Sequence, residues 1–283
     1  MLAQARAFFA KRGVMEVDPG ALVKCPPNDA HIECIATDQD GGFLHTSPEY
    51  AMKRLLAEGL GDIYYLGHVY RKGELGPLHN PEFTMVEWYR CHISFADMIQ
   101  ETCEFLSLFL GPLPIQIMSY REAFETYAGI DSASEQTDWS KETLRHYLLS
   151  HKIEPQLGHG CLTVLTDYPP HEAALACVVE KNGELVAERY EIYHEGVELC
   201  NGYHELNDAE ELRRRFAENN KTRKTPYPLD EQFLLSLKTL PDCCGVALGF
   251  DRALTLRHRL KSIGPVIPFT WAHYLYMNVI PIS

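Results

Sequence analysis

The chain has 283 residues, of which 46% are hydrophobic, ample for the core of one large domain or two small ones. Its 26 Lys and Arg against 39 Asp and Glu give a formal charge of −13, which repels phosphate backbones and excludes broad, non-specific nucleic-acid binding. The nine cysteines show no Cys-x-x-Cys or Cys/His ligand spacing, and Cys243 adjoins Cys244, so they read as reduced thiols and exclude a disulfide framework.

Residues 1–12 have helical periodicity, with Leu2, Ala5, Phe8 and Phe9 on one side and Gly13 as the stop. The segment is amphipathic and carries no signal-peptide pattern, so a cytoplasmic protein is expected. Residues 14–17 read as a short strand stopped by Pro19-Gly20, and 47–58 as a helix with Ser47 as N-cap and Pro48 in its first position. Strands are expected at 63–70 and 83–90, flanking a Gly- and Pro-rich loop from Arg71 to Pro81. An amphipathic helix over 95–110 ends at Gly111-Pro112, and 119–160 reads as a polar, helical insertion. Further strands are expected at 161–165 and 174–179, and a hairpin of 186–194 and 197–206 turns on Glu195-Gly196. In that register Tyr193 faces Glu198 and Glu191 faces Cys200, which makes Glu191 and Glu198 diagonal neighbours on one face, roughly 7–8 Å apart at their backbones. A charged helix follows at 208–220, then a glycine-containing strand at 245–251 that leads into a helix. The last twenty residues, 264–283, carry no charged side chain, but Pro265, Pro268, Pro281, His273 and Asn278 interrupt any membrane helix. A buried terminal segment is expected there, with no membrane contact. Strands without a βαβ rhythm point to an α+β fold on an antiparallel sheet.

Glu191, Glu198 and Glu205 recur at intervals of seven in an otherwise apolar and aromatic segment. Oxygen ligands without a Cys/His pair suit magnesium better than zinc, although solvent-facing glutamates on a hairpin are the commoner reading of such a pattern. Arg71 in its loop and Arg252 after Gly249-Phe250-Asp251 add guanidinium forks of the kind that hold a triphosphate, although either alone reads as a surface ion-pair partner. Neither Gly-rich segment fits a P-loop or a dinucleotide fingerprint.

Three blocks together carry a resemblance. Tyr70-Arg71 through His79-Asn80-Pro81-Glu82-Phe83-Thr84-Met85-Val86-Glu87 resembles motif 2 of a class II aminoacyl-tRNA synthetase of the lysyl type. Gly245 through Gly249-Phe250-Asp251-Arg252 resembles motif 3. Glu198 through Asn201-Gly202 and Glu205-Leu206 is similar to the segment where lysyl enzymes hold metal and the lysine side chain. The longer blocks 44–55 and 79–90 resemble the free-standing lysyl-tRNA synthetase paralogues that modify translation elongation factor P. The resemblance implies a six-stranded antiparallel class II sheet flanked by helices and a single catalytic domain over 1–283. It leaves no room for an anticodon-binding domain. It also implies a homodimer built through motif 1, whose proline is Pro19.

By the same resemblance, the chemistry is ATP-dependent adenylation of (R)-β-lysine followed by transfer to a lysine side chain of elongation factor P, with no tRNA. Arg71 is then expected on the α-phosphate and substrate carboxylate, and Arg252 on the γ-phosphate, with His79 nearby. Phe83 would stack on adenine, Asn80 and Gly249 would line the nucleotide site together with Leu199, and Lys72, Gly73 and Glu74 would supply its loop edge. Glu191 and Glu198 would bind Mg2+, Glu198 also facing the nucleotide. Glu87, Tyr89 and Glu205 would grip the distal ammonium of the substrate, and Ser47, Pro48, Glu49 and Asn201 would shape the rest of the pocket. Ala247 stands where lysyl-tRNA synthetases typically have Gly, and its methyl would favour a β- over an α-amino acid, or else pack beneath the strand. Two other readings are a truncated lysyl-tRNA synthetase using α-lysine and an inactive lysine-binding regulator.

Overall fold

A computed structural model describes residues 1–29, 32–130 and 141–277. In chain order the elements are α1 (Leu2–Ala10), β1 (Met15–Glu16), β2 (Leu22–Val23), β3 (Ile35–Ala36), β4 (Phe43–Leu44), α2 (Glu49–Ala57), β5 (Ile63–Tyr70), β6 (Glu82–Cys91) and α3 (Phe95–Leu110). There follow β7 (Ile115–Ser119), α4 (Tyr120–Ala123), α5 (Lys141–Leu148), β8 (Leu162–Tyr168), β9 (Val178–Lys181), β10 (Glu184–His194) and β11 (Val197–His204). The chain continues through α6 (Ala209–Thr222), α7 (Glu231–Ser236), β12 (Cys243–Gly249), α8 (Phe250–Arg257) and α9 (Trp271–Met277). These fall into two compact units, one of residues 1–92, 207–243 and 247–283, the other of 93–206 and 244–246.

In the first unit β5 and β6 form an antiparallel hairpin, with Tyr65 opposite Glu87 and Ile63 opposite Tyr89, and β1 runs parallel to β5. The apolar side of α1 supplies Phe9, which stacks on Tyr64 at a centroid distance of 4.1 Å and meets Trp88 edge-on. All three side chains are buried, and aromatic pairs of this geometry stabilise beyond the area they bury. Arg6 and Tyr64 both donate to Glu16, fixing α1 over the strands. A small antiparallel sheet, β2-β4-β3, precedes α2, and Tyr50 of α2 stacks on Phe233 of α7 at 4.1 Å.

In the second unit β7 runs parallel to β8, β8 pairs antiparallel with β10, and β10 pairs antiparallel with both β9 and β11. Tyr120, Phe124, Ile153, Leu157, Leu165, Tyr168 and Tyr193 form its core. The helical pattern expected over 119–160 is found in α4, α5 and short π and 3-10 turns, while residues 131–140 lie outside the described residues.

Besides the strand expected at 174–179, which is found at Val178–Lys181, four expectations change. Among the described residues the strands number nine besides the small sheet, not six, and β1 with β5 and β7 with β8 pair parallel, so the architecture is α+β with mixed rather than antiparallel pairing. The parallel partners are β1, too short to carry a pattern, and β7, which lies between the helix read at 95–110 and the helical segment read from 119. Second, α2 starts at Glu49 with Pro48 as its N-cap residue, although the Ser47 hydroxyl still accepts from the Glu49 N–H at 3.0 Å. Third, a β-bulge between Ile192 and Tyr193 shifts the hairpin: Tyr193 faces Glu198 as expected, but Glu191 faces Asn201, not Cys200. Fourth, the described part of the terminal segment is not a buried one: Phe269 is 70% and Trp271 53% exposed. The part of it beyond 277 lies outside the described residues. Among those residues no helix is long and apolar enough to cross a membrane.

Candidate active site

In the first unit the β5–β6 hairpin presents its loop as a clasp for anions. Arg71 leaves β5 with its N–H on the Pro81 carbonyl at 2.8 Å, and Gly73 turns the chain with φ +78°. The Arg71 guanidinium lies 5.1 Å from the Phe83 ring centroid and 3.7 Å from Glu74. Its Nε is buried without a hydrogen-bond partner, an orphaned donor of the kind a bound anion satisfies. At the far side of the loop Arg252, in the first turn of α8, donates to His79 Nε2 at 2.7 Å and to the Leu78 carbonyl at 3.3 Å. Burial, then Arg252 and Arg71, push the His79 pKa down, so the ring is neutral and accepts from the guanidinium.

Asn80 is buried and ties the loop at both ends, donating to the Glu82 carbonyl at 2.6 Å and accepting from the Trp271 N–H at 2.9 Å. The amide is therefore engaged in shaping the loop. Lys72 is exposed and its ammonium lies 4.0 Å from Glu33. Gly249 caps α8, and a methyl there would meet Arg252 Cδ at 3.5 Å. Ala247, two residues before it on β12, is partly exposed, whereas Val246 and Leu248 on either side of it are buried.

The same unit holds a carboxylate pocket. Glu87 on β6 accepts from Ser47 Oγ and from Tyr89 Oη, each at 2.7 Å. Glu49, in the first turn of α2, pairs at 2.6 Å with Lys53, one turn along the helix and fully buried. Burial, and next the Glu49 charge, raise the Glu87 pKa to about 7; the Ser47 and Tyr89 hydroxyls and Lys53 oppose the rise. At neutral pH such a group is balanced between its protonated and ionised forms. Beneath the loop Asp251 accepts the Thr84 N–H at 2.6 Å, and burial lifts its pKa to about 6.

In the second unit the bulge decides which side chains share a face. Leu199 and Cys200 both turn inward and are buried, so Glu198 lies on the same face as Asn201, Tyr203 and Glu205, and as Glu191 and Tyr193 across the hairpin. Without the bulge Glu198 would alternate away from Asn201 and Glu205. Glu191 is buried and accepts from Arg189 at 2.6 Å and from Tyr193 Oη at 2.5 Å. Asn201 donates to Tyr203 Oη at 2.9 Å, and its Oδ1 is buried without a partner, as is Arg189 Nε. Glu205 is buried at the end of the hairpin, opposite Ala176.

No group of three or more Asp, Glu, His or Cys positioned for a metal occurs among the described residues.

Each unit thus gathers its own share of the expected residues: the loop arginines with Glu87, Tyr89, Ser47 and Glu49 in the first, and Glu191, Glu198, Asn201 and Glu205 in the second. Lys53, Arg189, Tyr193 and Asp251 were not singled out from sequence. The Glu49–Lys53 spacing of four on a helix was the available signal for the first of them. For Arg189 and Tyr193 it was their alternation with Glu191.

Comparison with known proteins agrees with this geometry. Residues 1–272 match the family described as tRNA synthetases class II (D, K and N). A curated protein of Haemophilus ducreyi, named Elongation factor P--(R)-beta-lysine ligase, is 41% identical over 95% of this chain and 91% of its own length. Proteins of the same name from Haemophilus influenzae and Salmonella gallinarum are 38% and 36% identical, each over 95% of this chain and 92% of their own length. On its motifs, its mixed sheet strands and these matches, the chain belongs to the class II tRNA synthetase family of the D, K and N type.

Proposed function

We propose that this chain is an ATP-dependent ligase that activates (R)-β-lysine as an aminoacyl-adenylate and transfers it to a lysine side chain of elongation factor P. The observation that carries the reading is the 36–41% identity, along nearly the full length of both partners, to ligases of that name. The site is consistent with it: an orphaned guanidinium donor for an anion and a buried carboxylate awaiting a cation, as an amino acid and a triphosphate require.

In the first step a substrate carboxylate oxygen attacks the α-phosphorus and pyrophosphate leaves. A carboxylate is already nucleophilic at neutral pH, so positioning and charge neutralisation supply the rate and no general base is needed. Arg71 bridges the α-phosphate and the substrate carboxylate, Arg252 takes the γ-phosphate beside neutral His79, and Phe83 offers its ring to the adenine. Asn80 holds the loop that carries them, and Lys72, Gly73, Glu74, Leu199 and Gly249 complete the nucleotide contacts. Glu191 and Glu198 would hold magnesium, which would supply positive charge against the phosphates. Glu87 and Tyr89, with Glu205, receive the distal ammonium, while Ser47, Pro48, Glu49 and Asn201 define the remainder. In the second step the acceptor amine attacks the activated carbonyl, an amide bond forms, and AMP and a proton depart. Assembly as a homodimer through α1 and β1, whose Leu2 and Met15 are exposed, completes the reading. The protein works in the cytoplasm, where its acceptor is found.

ATP–pyrophosphate exchange with purified protein and magnesium tests the reading. Exchange is expected to be strongest with (R)-β-lysine, and Ala247→Gly is expected to shift preference toward α-lysine. Stronger exchange with α-lysine in the unaltered protein would move the assignment to tRNA charging, and no exchange with either would leave a binding role.

A further inference from the structure

We propose that Lys53 is a positioning residue of the amino-acid pocket: its buried ammonium clamps the Glu49 carboxylate and so reserves Glu87 for the substrate amine. The inference rests on the functional reading above, but it concerns a residue to which that reading gives no task.

The side chain of Lys53 is fully buried, and its Nζ lies 2.6 Å from Glu49 Oε1. Burying an ammonium is unfavourable even when it is paired, and an apolar side chain of similar volume is often as stable or more so in such a position. Packing alone therefore gives no reason for a lysine in the apolar interior between Met52 and Leu56, both buried. The pocket supplies one. Two carboxylates, Glu49 and Glu87, lie close enough that the charge of one raises the proton affinity of the other. With no cation present, the charge on either one would favour a proton on the other, and the pair would share that proton rather than leave one carboxylate ready for a ligand. Lys53 is attached one helical turn beyond Glu49, the order of charges that suits the helix dipole, and binds that one carboxylate directly.

The hydroxyls of Ser47 and Tyr89 occupy one oxygen each of Glu87, and so fix its orientation without adding charge. On the neighbouring strand β5, Tyr65 is the titratable group in the field of Glu87, and burial holds its phenol neutral, its pKa pushed up to about 12. On the α7 side, the Asp230 charge reaches Tyr50 rather than Glu87. Among the described residues, the charged groups acting on Glu87 are Glu49 and Lys53, both on α2. The result is a pocket with one compensated carboxylate and one that ionises as a single ammonium enters.

Three variants separate this from a merely structural ion pair: Lys53→Met, Lys53→Arg, and Lys53→Met combined with Glu49→Gln, which removes both charges together. Two readouts are taken from pH 5 to 9: the KM for (R)-β-lysine and for ATP in pyrophosphate exchange, and the thermal midpoint without substrate. Lys53→Met is expected to raise the amino-acid KM about tenfold, leave the ATP KM unchanged, and move the acid limb of kcat/KM about one pH unit upward. The Arg variant is expected to keep the original pH profile, and the double variant to return the acid limb toward it without restoring KM.

The midpoint of pH-dependent stability assigned to Glu87 should move with the acid limb. That readout needs no activity, so a protein inert toward β-lysine would overturn the functional reading while the melts still decide the role of Lys53. A Lys53→Met protein with both its KM values and its pH profiles unchanged would overturn the proposal. If the single variant does not fold, a folded double variant with an unshifted acid limb supports the proposal. A double variant whose limb stays displaced, or that also fails to fold, contradicts it.

Discussion

Glu87 joins stability to function in one side chain. Its raised pKa means that the folded chain binds more protons than the unfolded chain between the ordinary carboxylate range and about pH 7. Stability therefore falls as pH rises through that window, by on the order of 3 kcal/mol if the whole shift is expressed. Glu87→Gln is expected to raise the thermal midpoint at pH 8, to leave it nearly unchanged at pH 5, and to abolish amino-acid activation. Parallel melts and exchange assays check all three, and a variant destabilised at pH 8 would contradict the assignment. The motif that names Glu87 was readable in sequence, because Val86-Glu87 and Tyr89 sit at fixed distances from Arg71. The proton on Glu87 was not readable, since it depends on burial and on Glu49 from another element. Arg189 was only weakly signalled: its alternation with Glu191 puts both on one face of the strand, but does not give the 2.6 Å contact between them.

At the scale of elements, the two hairpins do most of the positioning. The β5–β6 strands and their loop were legible from alternation and from glycine and proline punctuation, and the register follows from them. The role of Asn80 was not, because Trp271 lies 191 residues away and only its backbone N–H is used. Asn80→Ala leaves that N–H without its acceptor and frees the loop. The expected result is a loss of about 1–3 kcal/mol in urea unfolding and a weakened KM for ATP at unchanged KM for the amino acid. In the second hairpin, placing Glu191 opposite Cys200 assumed uniform pairing. The bulge at Leu199 breaks that uniformity and brings Glu198 onto the face of Asn201 and Glu205. Glu198→Gln is expected to raise the magnesium concentration for half-maximal exchange about tenfold or more while the fold is retained by circular dichroism. An unchanged magnesium requirement would remove Glu198 from the metal site.

At the scale of the whole molecule, the charge of −13 and the family membership pull in different directions. Members that charge tRNA handle a polyanion, whereas a chain so acidic is better matched to a protein acceptor that presents a lysine ammonium. Fold class and family were legible because motifs 2 and 3 are long and occur in order. The count and direction of the strands were not, because β1 is a two-residue strand and β7 precedes a helical segment, so neither announces a parallel partner. The measurement that tests the central claim most directly is the acceptor assay. Purified protein is incubated with ATP, magnesium and (R)-β-lysine in the presence of elongation factor P or of lysine tRNA, and each product is analysed by mass spectrometry. The account predicts a single β-lysyl addition to one lysine of elongation factor P and none to tRNA. Unmodified elongation factor P alongside aminoacylated tRNA would contradict it.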